Sequence, residues 1–109
     1  MAYTADFPAV EPAAVDLAAV RGPLVLEFGV DWCPHCKASQ PPLAEALGDF
    51  AHVPHWKVED GKGRPLGRAY RVKLWPTLVF LRDGQEVSRL VRPTSAAPIR
   101  DALVGLGAT

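Results

Sequence analysis

The sequence is short of cysteine, carries no excess of either charge and has no long apolar run. Two cysteines in 109 residues are too few for the disulfide-rich secreted folds, which carry several pairs at scattered spacings. Twelve basic and twelve acidic residues give a formal net charge of +0, so nothing points to nucleic acid, an anionic membrane or an acidic substrate. No apolar run approaches the ~20 residues needed to cross a bilayer.

The amino terminus also lacks the pattern of a secretory signal peptide. Residues 1–6 contain neither a basic stretch nor an apolar one, and a signal peptide needs both. We therefore expect a cytoplasmic protein that begins at its own Met1. The alternative is a periplasmic protein whose leader has been removed. The chain length predicts one domain over residues 1–109, with a core of modest size.

Helix and strand signals alternate along the chain, which predicts an α/β or α+β domain around a central sheet. The apolar run over residues 24–28 is typical of a strand buried on both faces. Further strands are predicted over residues 53–58, 77–81 and 86–91. Helices are predicted over residues 11–20, 34–47 and 66–70, and from an N-cap at Ser95 through Leu106.

Local signals refine three of these elements. Asp83-Gly84 lies between the last two strands, which predicts a hairpin. Pro41-Pro42 lies inside the second helix and is expected to kink or interrupt it, because proline lacks the backbone donor. Val15 and Ala19 are expected on the apolar stripe of the first helix. Trp56 is expected in the core.

Both cysteines lie in Trp32-Cys33-Pro34-His35-Cys36, between the central strand and the second helix. A helix N-terminus offers unpaired backbone N–H groups and the positive end of the dipole, and both favour a thiolate. Because the thiolate is the attacking species, Cys33 is the predicted nucleophile. Cys36, one turn further along, is placed to attack the resulting mixed disulfide. Pro34 and His35 are expected to tune the redox poise, His35 by adding a positive charge or a donor near Cys33.

A zinc site is the structural alternative for a Cys-x-x-Cys pair. His52 and His55 would have to supply the remaining ligands, yet they lie closer together than the usual spacing, and the gap from Cys36 is longer than in a zinc finger. We expect both histidines to be solvated residues of a loop or a strand end. No metal site is predicted.

From Leu24 to the carboxyl terminus the chain resembles the thioredoxin superfamily. Four features carry the resemblance: Trp32-Cys33-x-x-Cys36-Lys37 with the helix proline Pro41, the acid Glu27 in the preceding strand, Lys57 in the next strand, and Trp75-Pro76-Thr77 before a hairpin with Gly84 in its turn. The resemblance implies a thioredoxin fold, with a central mixed sheet of four to five strands and helices on both faces. It also implies a cis Trp75–Pro76 bond beside the cysteine pair.

The acid in the apolar strand has two interpretations. A buried carboxylate is costly unless it is paired. The functional interpretation makes Glu27 the proton acceptor for Cys36, with Lys57 as its buried partner. The alternative is a structural Glu27–Lys57 pair, or a Glu27 turned out at the sheet edge.

Substrate binding is expected at an exposed surface beside the cysteine pair. Trp32 and Trp75 are predicted to form an apolar docking surface. The alternative is that Trp32 simply shields the disulfide, and both can be true. A cis Pro76 would expose the preceding backbone amide and carbonyl, offering an extended substrate a strand-like edge. Arg92 stands where thioredoxins usually have a glycine that lines the groove, and its bulk and charge are expected to narrow the choice of partner.

Other positions depart from the thioredoxin pattern. The Pro-His dipeptide is that of DsbA-type oxidases, whose inserted helical domain this chain lacks. Gly29-Val30 replaces the usual aromatic-small pair, which is expected to alter the packing beside the cysteines. The N-terminal strand of thioredoxins is not evident in residues 1–10.

These features predict a thiol–disulfide oxidoreductase that exchanges a Cys33–Cys36 dithiol or disulfide with protein substrates. We expect a disulfide reductase in a reducing cytosol, and an oxidase or isomerase in an oxidising compartment. We expect a monomer that an external reductase or oxidase recycles. No cofactor is expected, and no binding to nucleic acid or to a membrane. The alternative from another class is a redox-regulated binding module, in which the disulfide only gates a partner.

Overall fold

Four strands and four helices alternate along the part of the chain that this computed structural model describes, residues 3–8 and 11–107. In chain order they are α1 (Ala14–Ala19), β1 (Pro23–Gly29), α2 (Pro34–Gly48), β2 (His55–Glu59), α3 (Pro65–Ala69), β3 (Thr77–Arg82), β4 (Gln85–Val91) and α4 (Ala96–Gly105). Among these residues, no helix is long and apolar enough to cross a membrane.

The strands form one mixed sheet in the order β2-β1-β3-β4. β1 runs parallel to β2 and antiparallel to β3, and β4 pairs antiparallel with β3. The central place of β1 follows from its composition, because every residue after Pro23 is buried and only an interior strand can cover both faces of such a run. The predicted mixed sheet with helices on both faces is confirmed.

Side-chain alternation along β1 divides the core in two. Leu24, Leu26 and Phe28 face one side, where they pack with Leu17 of α1 and Leu66 of α3. Val25 faces the other side, where the apolar residues of α2 and α4 cover the sheet. Glu27 shares that second face, because it lies two residues after Val25. A carboxylate is therefore buried beneath α2, close to the cysteines at its start.

The β3–β4 hairpin turns through the two predicted residues. Asp83 has φ 51° and Gly84 has φ 80°, the pair of positive angles that a type I′ turn requires. The Asp-Gly signal therefore predicted the strand pairing correctly, and the hairpin is confirmed. Each strand extends one residue further into the turn than predicted, which leaves a loop of two residues rather than four.

Two helix predictions need correction. Pro41 and Pro42 are predicted to kink or interrupt α2, and of these two outcomes the interruption does not occur, because α2 runs without a break from Pro34 to Gly48. The carbonyls that lose a partner belong to Lys37 and Ala38, and both residues are exposed.

The first helix is shorter than predicted and buries a different residue. α1 covers Ala14–Ala19 rather than residues 11–20, and its buried residue is Leu17. Val15 is 71% exposed and Ala19 is also exposed, so the predicted stripe is wrong.

Residues 3–8 form no strand but lie along β2, the edge strand of the sheet. The Thr4 hydroxyl donates to the carbonyl of His55, and the Lys57 ammonium donates to the carbonyl of Ala5 at 2.8 Å. Tyr3 packs against the core beneath α2 and α4. We call residues 3–8 the amino-terminal strap. Trp56, predicted to be core, is half-buried against the α1/α3 core.

Candidate active site

The two cysteines begin α2, where β1 passes into the helix. Cys33 is the N-cap residue, and Pro34 takes the first helical position, where a missing N–H costs nothing. Both thiols are free, with Cys33 7% and Cys36 2% exposed. The two thiols differ in the groups that surround them, and these groups determine the chemistry of each thiol.

Several groups around Cys33 favour its thiolate. Its burial by itself would raise the thiol pKa. The backbone amide and the thiol of Cys36, the backbone amide of His35 and the charge of Arg92 outweigh that burial, so the pKa of Cys33 lies below its ordinary value. A thiolate at the start of a helix is the attacking form of cysteine.

The groups around Cys36 favour its protonated form. Burial is the largest cause, and the neighbouring Cys33 sulfur and the charge of Glu27 add to it, raising the pKa of Cys36 to about 12. At pH 7 a thiol with this pKa would be ionised in roughly one molecule in 10⁵. Attack by Cys36 therefore needs a nearby group that accepts its proton.

Gly29 leaves the space that the Cys36 sulfur occupies. A Cβ built on Gly29 would lie 2.6 Å from Cys36 Sγ, and the same point is 3.6 Å from Cζ of Phe7. The thiol thus packs directly on the backbone of β1. The ring of Phe7 in the amino-terminal strap borders the same space.

Glu27 is fully buried, and both its carboxylate oxygens are hydrogen bonded. Nε2 of Gln40 donates to Oε2 at 2.9 Å, and Nε2 of His55 lies 2.9 Å from Oε1. Within residues 3–8 and 11–107 no Glu27–Lys57 ion pair forms, so the predicted direct pairing is wrong. The two residues are register partners, but the Gln40 side chain lies between their charged groups.

Lys57 is instead held by Gln40 and the amino-terminal strap. Its ammonium donates to the carbonyl of Ala5 at 2.8 Å and to Oε1 of Gln40 at 2.9 Å. It also lies 4.6 Å from the ring centre of Phe7 and 5.9 Å from that of Tyr3, within cation–π range. Gln40 therefore bridges the ammonium and the carboxylate of Glu27 by hydrogen bonds.

His55 contradicts its prediction as a solvated residue. It is 2% exposed, contacts Glu27 through Nε2 and receives the backbone N–H of Thr4 on Nδ1 at 2.9 Å. Its ring stacks on Tyr3, with centres 5.5 Å apart. His52 is exposed, as predicted. The physical reason is strand alternation, which places residue 55 on the same inward face as Lys57.

A cavity of about 240 Å³ lies beside the deeper thiol. Cys36, Gln40 and Lys57 line it together with Asp6 and Phe7 of the amino-terminal strap. The cavity is therefore a polar chamber next to the sulfur that must lose a proton.

Two tryptophans mark the outer side of the pair. Trp32 is 67% exposed and meets Trp75 edge to face, with ring centres 5.8 Å apart. Trp75 is fixed by its indole N–H, which donates to Asp60 at 2.8 Å. The Trp75–Pro76 peptide bond is cis. An exposed tryptophan packed against a half-buried one is typical of a docking surface.

Arg92 lies at the same edge. Its Nε donates to the carbonyl of Trp75 at 2.8 Å, its backbone N–H donates to the carbonyl of Pro76 at 2.9 Å, and its φ is 52°. A non-glycine residue in this left-handed region costs about 1 kcal/mol or more. The side chain therefore covers one of the backbone groups that an extended ligand would use.

The described residues do not assemble a metal site. No group of three or more His, Cys, Asp or Glu side chains within residues 3–8 and 11–107 is arranged to hold a metal ion. His55, one of the ligands considered for zinc, has both ring nitrogens engaged by Glu27 and Thr4.

Sequence reasoning missed Gln40, His55 and the amino-terminal strap. Two signals could have found the first two. Gln40 follows Cys36 by four residues, so helical periodicity places both on one face, and alternation in β2 pairs His55 with Lys57. No local signal shows that residues 3–8 close over this cluster, because the contact joins segments about 50 residues apart.

Comparison with known proteins identifies the family. The thioredoxin family model matches residues 13–104, so this chain belongs to the thioredoxin family. It is similar to the structure of reduced thioredoxin 2 from Pseudomonas aeruginosa PAO1, with 51% identity and a TM-score of 0.85 over 98% of this chain and 100% of that one. It is also similar to thioredoxin from Chlamydia trachomatis, 37% identical over 71 residues, which are 64% of this chain and 69% of the relative.

Plant relatives match over a shorter part of their length. Thioredoxin H-type from Fagopyrum esculentum is 34% identical over 68 residues, which are 62% of this chain and 59% of that protein. The match to thioredoxin H2-1 from Oryza sativa covers 49% of that protein, so the chain spans about half of its length. The predicted thioredoxin fold is confirmed by the family match and these neighbours.

Proposed function

We propose that this protein is a thiol–disulfide oxidoreductase that reduces disulfides in protein substrates. The observation that carries the proposal is the opposite bias of its two thiols, with the pKa of Cys33 lowered and that of Cys36 raised to about 12. One sulfur is prepared to attack and the other is held protonated until it is needed. Membership of the thioredoxin family supports the same activity.

The first step is attack by the Cys33 thiolate on a substrate disulfide. Its electron pair forms a bond to one substrate sulfur, the substrate S–S bond breaks, and the other substrate sulfur leaves as a thiolate. The product is a mixed disulfide between Cys33 and the substrate.

The second step is resolution by Cys36. Glu27 takes the Cys36 proton, the new thiolate attacks the Cys33 sulfur, and the second substrate sulfur leaves as a thiolate. The substrate gains two electrons and the protein is left with a Cys33–Cys36 disulfide. Lys57 balances the negative charge of Glu27 through Gln40.

The substrate binds at the outer side of the pair. Trp32 and Trp75 provide apolar contact area, and the backbone beside Pro76 provides a strand-like edge. Arg92 covers the Trp75 carbonyl, so a ligand must either displace the guanidinium or bind to it. This favours substrates with an acidic side chain near the disulfide.

The direction of electron flow depends on the Pro34-His35 dipeptide and on the compartment. The dipeptide is that of DsbA-type oxidases, whereas the family match is to thioredoxins. We propose a single-domain, monomeric reductase in the cytoplasm that an external reductase recycles. In an oxidising compartment the same pair would work as an oxidase or isomerase.

The reduction potential of the Cys33–Cys36 pair tests this direction. Equilibration in glutathione buffers is expected to give a value near that of thioredoxin, about −270 mV. A value towards about −120 mV would contradict a general reductase and point to an oxidase, an isomerase or a sensor.

A redox-regulated binding module is the second candidate, favoured by the Arg92 contact that covers the docking edge. A binding module would bind a partner in one redox state and turn over slowly. Steady reduction of insulin disulfides, well above that of an equal concentration of free dithiol, would exclude this candidate.

A further inference from the structure

The cluster around Glu27 contains a histidine that the two redox steps do not use. His55 lies in the edge strand β2, between Glu27 and the amino-terminal strap. It is buried and stacked on Tyr3, so it contacts no substrate. Its two ring nitrogens nevertheless have partners that determine where its proton lies.

The amide of Thr4 fixes the protonation state of the imidazole. A backbone N–H can only donate, and it points at Nδ1 of His55 at 2.9 Å. Nδ1 must therefore carry its lone pair, and a neutral imidazole with a bare Nδ1 has its hydrogen on Nε2. That hydrogen is directed at Oε1 of Glu27, 2.9 Å from Nε2.

Gln40 is fixed in the same way. Its Oε1 accepts hydrogen bonds from the Lys57 ammonium and the Tyr3 hydroxyl, so the NH₂ group is on the other side. That group donates to Oε2 of Glu27 and to the carbonyl of Cys36. Each oxygen of Glu27 thus faces an N–H donor, which is the environment of an ionised carboxylate rather than a protonated one.

We propose that His55, held with its hydrogen on Nε2 by the Thr4 amide, is a positioning residue that orients the Glu27 carboxylate to accept the proton of Cys36. The inference rests on the proposed function, because it assigns His55 to the resolution step alone. It also gives the amino-terminal strap a role, since the amide that fixes the histidine belongs to it.

The groups that face His55 are consistent with a neutral ring. Glu27 comes from β1, Tyr3 and the Thr4 amide come from the strap, and Lys57 is on the same face of β2. From α2 the nearby group is the neutral amide of Gln40, which contacts Glu27 and Tyr3 as His55 does. A protonated His55 would direct its Nδ1–H at the Thr4 N–H and lose that hydrogen bond.

The test separates attack from resolution in the full-length chain. A symmetrical aromatic disulfide releases one coloured thiolate when Cys33 attacks and a second when Cys36 resolves, so stopped-flow absorbance resolves the two steps. The rates are measured from pH 5.5 to 9 for the wild type, for His55→Gln and for His52→Gln, the matched control at an exposed histidine of the same region.

In His55→Gln we expect attack to stay within about twofold of the wild type. Resolution at pH 7 should fall about tenfold, and the shape of its pH profile should change. His52→Gln should match the wild type in both steps. A His55→Gln resolution profile that superimposes on the wild-type profile, with normal attack, would overturn the role of His55 while leaving the proposed function intact. A wild type that releases no first thiolate would overturn the proposed function itself.

A second pair of variants tests the fixing amide without changing the histidine. Thr4→Pro removes the N–H, and Thr4→Ala retains it. Both variants lose the hydroxyl that donates to the carbonyl of His55, so Thr4→Ala is the reference for the loss of that bond. Resolution should be about twofold slower in Thr4→Pro than in Thr4→Ala, as the ring divides between its two tautomers. Ring ¹⁵N spectra of the reduced wild type should show a bare Nδ1 and a protonated Nε2 on His55 at pH 7. A hydrogen on Nδ1 would overturn the proposal even if the variants did not fold.

Discussion

The residues on the two sides of the cysteine pair differ in chemical character. The outer side has an exposed tryptophan, a second ring packed edge to face against it, and an arginine on the backbone edge. The inner side has a buried carboxylate with an amide and an imidazole on its two oxygens. Cys33 belongs to the first environment and Cys36 to the second.

This contrast explains how two thiols one helical turn apart can differ so much. Backbone amides and the Arg92 charge offset the burial of Cys33, whereas burial and two negative neighbours act together on Cys36. The outer side therefore governs attack and substrate choice, and the inner side governs resolution. Variants on one side should leave the other step unchanged.

The largest expected effect comes from the variants that remove one of the two sulfurs. Cys33→Ser should lower turnover at least ~10³-fold, because no other thiolate is available to attack. Cys36→Ser should attack normally but stall as a mixed disulfide with the substrate. Mass spectrometry after incubation with an oxidised protein substrate measures both outcomes. Full turnover by Cys33→Ser would contradict the assignment.

Removing the inner base should affect resolution alone. Glu27→Gln keeps the shape of the side chain but cannot accept the Cys36 proton as a carboxylate does. Loss of a general base typically costs about 10²-fold or more, so the second thiolate release should slow by that order. Attack by Cys33 should be unchanged, and an equal loss in both steps would show that the two sides are not separate.

Filling the space at Gly29 should disturb the inner thiol by packing. A methyl group there would meet Cys36 Sγ at 2.6 Å, and overpacking of this kind costs about 1–3 kcal/mol. Gly29→Ala should lower the midpoint of urea unfolding and slow resolution more than attack. Gly48→Ala is the matched control, because a Cβ at Gly48 meets nothing within 4 Å. An equally stable Gly29→Ala protein would contradict the close packing.

The smallest expected effect is on the outer side. Arg92 helps to lower the pKa of Cys33, so Arg92→Gly should raise that pKa. A raised pKa leaves less thiolate at pH values below it, so attack at pH 6 should slow about twofold to threefold, with no change well above the pKa. The glycine also uncovers the Trp75 carbonyl. The kcat/KM for neutral substrates should therefore rise relative to that for acidic substrates.

Arg71→Gly is the control for Arg92→Gly. Arg71 also has a positive φ, 58°, so both variants relieve the same backbone cost. It is not among the groups that lower the pKa of Cys33. A pH profile of attack that moved equally in both variants would show that backbone relief, not charge, is responsible.

The sequence carried the signals for most of the fold because those signals are local. The apolar run of β1, the Asp83-Gly84 turn and the Cys-x-x-Cys pair between strand and helix each depend on neighbouring residues. The errors came where an element was short, as in α1, or where a continuous helix tolerated Pro41-Pro42. Propensity alone does not decide these cases.

The inner half of the site was harder to predict for a physical reason. Its members come from β1, α2, β2 and the amino-terminal strap, and only the fold brings them together. Glu27 was recognised because a carboxylate in an apolar strand is conspicuous. Opposite charge predicts Lys57 as the partner of Glu27. In the structure the Gln40 amide lies between Glu27 and Lys57, and the second carboxylate oxygen of Glu27 contacts His55.

Titration of both thiols in the reduced protein tests the central claim most directly. Cysteine Cβ chemical shifts, followed by NMR from pH 4 to 11, report each residue separately. The account predicts that Cys33 ionises below the ordinary range of about 8.5, whereas Cys36 stays protonated through neutral pH because its pKa is raised to about 12. Two thiols that titrate together near the ordinary value, or a Cys36 that ionises first, would contradict it.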